Sequence, residues 1–219
     1  MLQDLPGVLH SPQGTLAGKI PFIVEDCIRI TENRLQRLPA GSAILGQNEA
    51  LAVVAYTYDL NFSSEEDGED NLYAVLNDTL RKRSGTVMRA LKPYLTYLMR
   101  GLMALPGVQT TCFRGVPPDC LDAVQAKYVL GTDVHWSAFT SCTPMLETAK
   151  QFAQTAGGVI FRMQMLSARD VRAYSAFPQE QELLLSPNVK LVVTASCRLE
   201  ADGYYYVDLL ERRGAGIVF

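Results

Sequence analysis

Apolar residues recur at helical spacing through the first hundred positions, and short β-forming runs follow one another after that. The pattern predicts a helix over Phe22 to Leu38, with Ile23, Cys27 and Ile30 on one face and charged residues between them. A buried helix is expected at Asn48 to Tyr58, which reads NEALAVVAYTY, and another at Leu72 to Arg83. A fourth spans Val87 to Leu105, where Leu91, Leu95, Leu98 and Leu102 form a core stripe and Pro106-Gly107 supplies the stop. Between these lies SSEEDGEDN, residues 63–71, an acidic run that predicts a solvated loop and lacks the alternating ligand spacing of a calcium loop.

The second half carries QTTCFRG, HWSAFTSC, GVIFRMQM, QELLL, VKLVVTAS and YYYVDLL, each read as a strand. One helix interrupts them, with Thr143 as N-cap and Pro144 in first helical position, continuing through Leu146, Ala149 and Phe152. Helices first and strands later make an α+β fold, expected as one integrated domain with a helical lobe over 1–107 followed by a β-rich core over 108–219. No GxGxxG or phosphate loop occurs, so a dinucleotide is not expected to be held in the Rossmann manner.

Composition narrows the function classes. The net charge of −3 provides no basic footprint for nucleic acid and no polybasic patch for a membrane. No apolar run approaches the ~20 residues that cross a bilayer, and the first residues lack the form of a secretory signal. Cys27, Cys112, Cys120, Cys142 and Cys197 are scattered without a CxxC pair, which favours reduced thiols in a cytosolic setting over disulfides or zinc. With His10 and His135 the only histidines, no metal centre is expected.

Three segments are poorly explained as core. Cys112-Phe113-Arg114-Gly115 ends an apolar strand with an arginine, whose planar fork suits a phosphate or carboxylate. Trp136 to Thr143 crowds hydroxyls onto a strand, where they can orient a polar ligand or a carboxylate. In Phe177-Pro178-Gln179-Glu180-Gln181-Glu182, followed by Leu183 to Leu185, two glutamates open a strand. Two positions apart on a strand, they face the same side at roughly 6.5–7 Å. Alone, each segment reads as a surface salt bridge, an edge strand or an exposed strand start.

In this order the segments resemble the Arg–Ser–Glu class of ADP-ribosyltransferases, which includes clostridial binary toxins and vertebrate arginine-specific ecto-enzymes. The resemblance rests on Phe113-Arg114-Gly115-Val116, Phe139-Thr140-Ser141 and Phe177-Pro178 with Glu180-x-Glu182, and extends over roughly Asn71 to Val193. It departs from the family's Ser-Thr-Ser in reading Ser141-Cys142-Thr143. The resemblance implies an ADP-ribosyltransferase-like fold, a helical lobe followed by two packed, mainly antiparallel β-sheets. It also implies NAD as substrate, no metal, and a protein acceptor with release of nicotinamide.

By the same resemblance, Glu182 stabilises the oxocarbenium-like ribose, Arg114 anchors the NAD phosphates or ribose, Ser141 orients Glu182, and Glu180 positions the nucleophile. Gly115, Phe152 and Tyr174 join Arg114, Ser141 and Glu182 as expected NAD contacts. A glutamate at the position of Glu180 goes with arginine as acceptor. A Thr or Ser hydroxyl, as on ubiquitin, or water in an NAD glycohydrolase reaction, stays open. The absence of visible secretion signals and disulfides fits a bacterial toxin or effector acting on a host protein in the cytosol better than an ecto-enzyme. Two competing readings are a retaining glycosidase, whose carboxylates stand ~5–5.5 Å apart, and an inactive binding module of the same fold. The first would bring an aromatic-rich sugar groove, and the second erosion of Arg114, Ser141 or Glu182, all of which are in place.

Overall fold

The computed structural model describes residues 15–42, 44–59, 71–83 and 85–212, so the stretch 1–14 and all but Asn71 of the expected acidic loop lie outside the described residues. The chain divides into two compact units: Met1–Pro106 with Val171–Gln179, and Gly107–Asp170 with Glu180–Phe219.

The helical unit holds α1 (Thr15–Gln36), α2 (Gln47–Thr57), α3 (Leu72–Lys82) and α4 (Gly85–Ala104). α2 is apolar nearly all round, and Ala50 and the run from Ala52 to Tyr56 are buried accordingly. α4 buries Leu91, Tyr94, Leu98 and Leu102, and the Tyr94 hydroxyl donates to the Ala52 carbonyl at 2.9 Å. The aromatic at position 94 therefore takes the place in the stripe expected of Leu95, which is only half-buried. α1 is rotated from the expected face in the same way: Val24, Cys27 and Thr31 are buried, with Ile23 and Ile30 at the margins. Thr31 is admitted to the core because its hydroxyl donates to the Cys27 carbonyl, 2.6 Å away.

The segment Val171–Gln179 is held in this unit by polar contacts with three separate stretches. Arg34 Nε donates to the Ser175 carbonyl (3.0 Å), the Leu45 N–H to the Tyr174 hydroxyl (3.0 Å), and the Ala176 N–H to Thr57 Oγ1 (2.8 Å). A segment expected within the β-rich half thus belongs to the helical unit, for reasons of long-range hydrogen bonding.

The second unit contains β1 (Gly107–Val116), α5 (Leu121–Lys127), β2 (Asp133–Trp136), β3 (Thr140–Cys142), α6 (Leu146–Phe152), β4 (Val159–Asp170), β5 (Leu183–Leu185), β6 (Val189–Leu199) and β7 (Tyr205–Glu211). Its strands form a 7-stranded sheet in the order β2-β6-β7-β4-β5-β3, with β1 on β4. All pairings are antiparallel except β4 with β7. The long β4 links the halves, pairing with β1 along its length, with β7 over Val159 to Gln164, and with β5 at Arg169 and Asp170.

The expected strand HWSAFTSC is two strands, because β2 and β3 lie at opposite ends of the sheet and Ser137 to Phe139 carry the chain between them. Alternation along β4 sorts the core. Val159, Phe161, Met163 and Met165 join one apolar cluster, while Ile160 packs with Tyr206 against Ala149 and Ala153. Among the described residues no helix is long and apolar enough to cross a membrane.

Candidate active site

Strand pairing brings the arginine, the serine and the last glutamate together. Phe113 of β1 bridges to Thr143 just past β3, with the Phe113 N–H donating to the Thr143 carbonyl at 2.7 Å and the return bond at 2.9 Å. β3 in turn pairs with β5, Ser141 opposite Leu184 and Cys142 opposite Leu183. Arg114 Nη1 donates to the Ser141 carbonyl at 2.9 Å. The Ser141 hydroxyl donates to Glu182 Oε1 at 2.5 Å, the short contact expected of a hydroxyl on a carboxylate. Glu182 is only 8% exposed, so this hydrogen bond offsets part of the cost of keeping a carboxylate out of water.

The glutamates do not share a strand face. Pro178–Glu180 is a 3-10 turn, Gln181 adopts a left-handed φ of 51°, and the strand begins only at Leu183. The extended spacing expected between Glu180 and Glu182 is therefore replaced by a turn that lets the two carboxylates take different directions. The helix after Ser141 also starts later than expected, with Met145 as N-cap and Leu146 as first residue. Thr143 has a different use. Its hydroxyl donates to the Glu180 carbonyl (3.0 Å) and accepts from the Met145 N–H (3.2 Å). The sequence offers one signal for this role, a hydroxyl flanked by apolar strand and proline, and the N-cap reading absorbs it.

Gly115 has a packing reason. A Cβ there would stand 1.9 Å from the Ala149 carbonyl oxygen, so the glycine is what allows α6 to lie on β1. Phe152, at the end of α6, is 53% exposed. Tyr174 lies in the helical unit with 1% of its surface exposed and its hydroxyl accepting from Leu45. A ring so enclosed has no face to offer a dinucleotide, and the expected NAD contact gives way to a packing role.

The altered middle residue of the serine segment, Cys142, is buried, and burial pushes its thiol well above the usual range. Cys27 is pushed up to about 12 for the same reason. Since the thiolate is the reactive form, native protein treated with a thiol reagent at neutral pH should label exposed Cys120 and spare Cys27, Cys112 and Cys142, all buried. Mass mapping of the adducts checks this, and rapid labelling of Cys142 in folded protein would contradict the packing described. Among the described residues no group of His, Cys, Asp and Glu is arranged to hold a metal.

The comparisons with known proteins converge on one family. Residues 27–213 match the family described as NAD:arginine ADP-ribosyltransferase, and the chain belongs to it. A putative NAD(+)–arginine ADP-ribosyltransferase, Mav, of Mycobacterium avium (strain 104) is 29% identical over 142 residues, 64% of this chain; the match spans 16% of that protein's length.

Among solved structures, Vis in complex with agmatine has a TM-score of 0.58 at 20% identity, covering 89% of this chain and 88% of that one. Vis is a toxin of Vibrio splendidus. Exoenzyme S from Pseudomonas aeruginosa, in complex with human 14-3-3 protein beta and bound to carba-NAD, scores 0.59 at 20% identity, covering 87% and 88%. At these identities the structural likeness establishes the ADP-ribosyltransferase fold.

Proposed function

We propose that this chain is an NAD-dependent mono-ADP-ribosyltransferase that moves ADP-ribose from NAD to an arginine side chain of a target protein. The observation that carries the reading is the chain of contacts from Arg114 through Ser141 to the buried carboxylate of Glu182. The bond between nicotinamide and C1′ of its ribose breaks, nicotinamide leaves with the electron pair, and positive charge develops on the sugar. A carboxylate already fixed by Ser141 stabilises that charge without reorganising. Arg114 supplies the guanidinium fork for the NAD phosphates or ribose, with Gly115 and Phe152 as further NAD contacts. A guanidine nitrogen of the acceptor then bonds to C1′ and loses a proton, with Glu180 holding the guanidinium by a charge-assisted pair.

Arginine is favoured over a hydroxyl acceptor by Glu180 and by the family match. Agmatine, found with Vis, carries the same guanidinium group. The Vis toxin and Exoenzyme S support a bacterial toxin or effector role on a host protein, and the scattered free cysteines suit a reducing compartment. Water in place of the acceptor gives NAD glycohydrolysis as a side reaction.

The test is incubation of the purified chain with labelled NAD, with and without agmatine. Nicotinamide release and ADP-ribosylated agmatine are expected; a chain that yields neither is not this enzyme. In Glu180→Ala, transfer to agmatine should fall by about a hundredfold, the loss of a charge-assisted acceptor contact, and far more steeply than hydrolysis. Equal losses in both reactions would remove Glu180 from the acceptor side.

A further inference from the structure

We propose that Thr143 is a positioning residue for acceptor selection, acting through its hydrogen bond to the Glu180 carbonyl; this rests on the acceptor-side role given to Glu180 above. Thr143 is buried at the junction of three elements. Its backbone bridges to Phe113 of β1, while its hydroxyl accepts from the Met145 N–H ahead of α6 and donates to Glu180.

The β3–β5 register, Cys142 opposite Leu183, would place Thr143 opposite Glu182 if the ladder ran one residue further. The left-handed φ of 51° at Gln181 turns the chain away instead, and Thr143, whose backbone N–H and carbonyl are both taken by Phe113, reaches the Glu180 carbonyl with its side chain. A side chain's direction follows from its own backbone, so anchoring the Glu180 carbonyl fixes the end of the 178–180 turn and with it the aim of the Glu180 carboxylate.

Ser141 and Thr143 stand two residues apart and divide the work. One hydroxyl holds the carboxylate of Glu182, the other holds the backbone of Glu180. Removing the second leaves the first in place. Loss of the Thr143 hydroxyl therefore acts on transfer to a guanidinium and leaves NAD cleavage to Ser141, Glu182 and Arg114. The cysteine between the two hydroxyls is buried and takes no part in either contact, its thiol donating to the Leu183 carbonyl at 3.4 Å.

Three variants of the full chain test this: Thr143→Val, which keeps the shape and lacks the hydroxyl; Thr143→Ser, which keeps the hydroxyl; and Thr143→Ala, which repeats the deletion should valine not be accepted. With NAD and agmatine as probes, Thr143→Val should raise KM for agmatine and lower the ratio of transfer to hydrolysis, each by about tenfold, with KM for NAD little moved. Thr143→Ser should stay within about threefold of wild type. Amide hydrogen exchange of a peptide spanning 178–182 should quicken in the valine variant and not in the serine variant.

Parallel losses of transfer and hydrolysis in Thr143→Val would overturn the proposal, as would no change in either or unaltered exchange over 178–182. If the wild-type chain cleaves no NAD, the enzyme reading falls separately, and the exchange measurement still decides whether Thr143 sets the turn.

Discussion

Glu182→Gln is expected to lower NAD cleavage by about a thousandfold, the scale measured when one preorganised electrostatic group is lost, and to leave the folded structure intact. Glutamine keeps the shape of the side chain, and its carbonyl oxygen can still accept the Ser141 hydroxyl that now sits 2.5 Å from Oε1. Under the proposed mechanism, what disappears is the full negative charge facing a ribose that becomes cationic as nicotinamide leaves. In a site where Glu182 is 8% exposed, water is poorly placed to supply that charge instead. Binding of NAD itself should change far less, since Arg114 is untouched; kcat carries the loss and KM does not. Thermal stability should hold or rise, because a neutral amide is less costly to bury than an ionised carboxylate. Nicotinamide release by the glutamine variant at a tenth or more of the wild-type rate would show that the charge of Glu182 is not the chemical agent.

The set Arg114, Ser141, Glu182 was legible through the resemblance of its three segments to a known family, and the change from helices to strands through the spacing of apolar residues. The geometry joining them was not, and the reasons are physical. HWSAFTSC is uninterrupted in β-propensity, yet β2 pairs with β6 and β3 with β5, and no local preference reveals a change of partner. The glutamates read as an extended strand start because Leu183 to Leu185 is one; the left-handed turn at Gln181 lies at a residue with no special tolerance for it. Such a conformation persists only where the surroundings impose it, and here the Thr143 hydroxyl on the Glu180 carbonyl is part of what does.

Arg34, Leu45 and Thr57 hold Ser175, Tyr174 and Ala176 over separations of more than a hundred positions, which periodicity cannot report. Within the helices the spacing fared better. Even Pro93 does not end α4, its ring lying on the exposed side while Leu91, Tyr94 and Leu98 keep the core stripe. Where a face was misjudged, as in α1, the cause was a threonine made apolar in effect by its own hydrogen bond.

Gly115→Ala is the substitution expected to damage the fold most for a single added methyl group. Gly115 pairs with Ile160 in the β1–β4 ladder, so the strand cannot shift without breaking sheet hydrogen bonds. On its other side the added Cβ would meet Ala149 O at 1.9 Å, Ala153 N at 2.7 Å and Ala149 C at 2.9 Å, all of them backbone atoms. No rotamer relieves such contacts. α6 must lift away, opening the packing of Ala149 and Ala153 on Ile160 and Tyr206. Overpacking of this kind with loss of buried contacts costs about 3 kcal/mol or more, which for a chain of this size lowers Tm by roughly 6–12 °C. Because Arg114 precedes the strained residue, NAD cleavage should fall with the same substitution. The control is Gly85→Ala, where an added Cβ meets nothing within 4 Å at the first residue of α4 and no change beyond about 2 °C is expected. A Gly115→Ala protein that melts with wild type would mean that α6 does not rest on β1 as closely as these distances require.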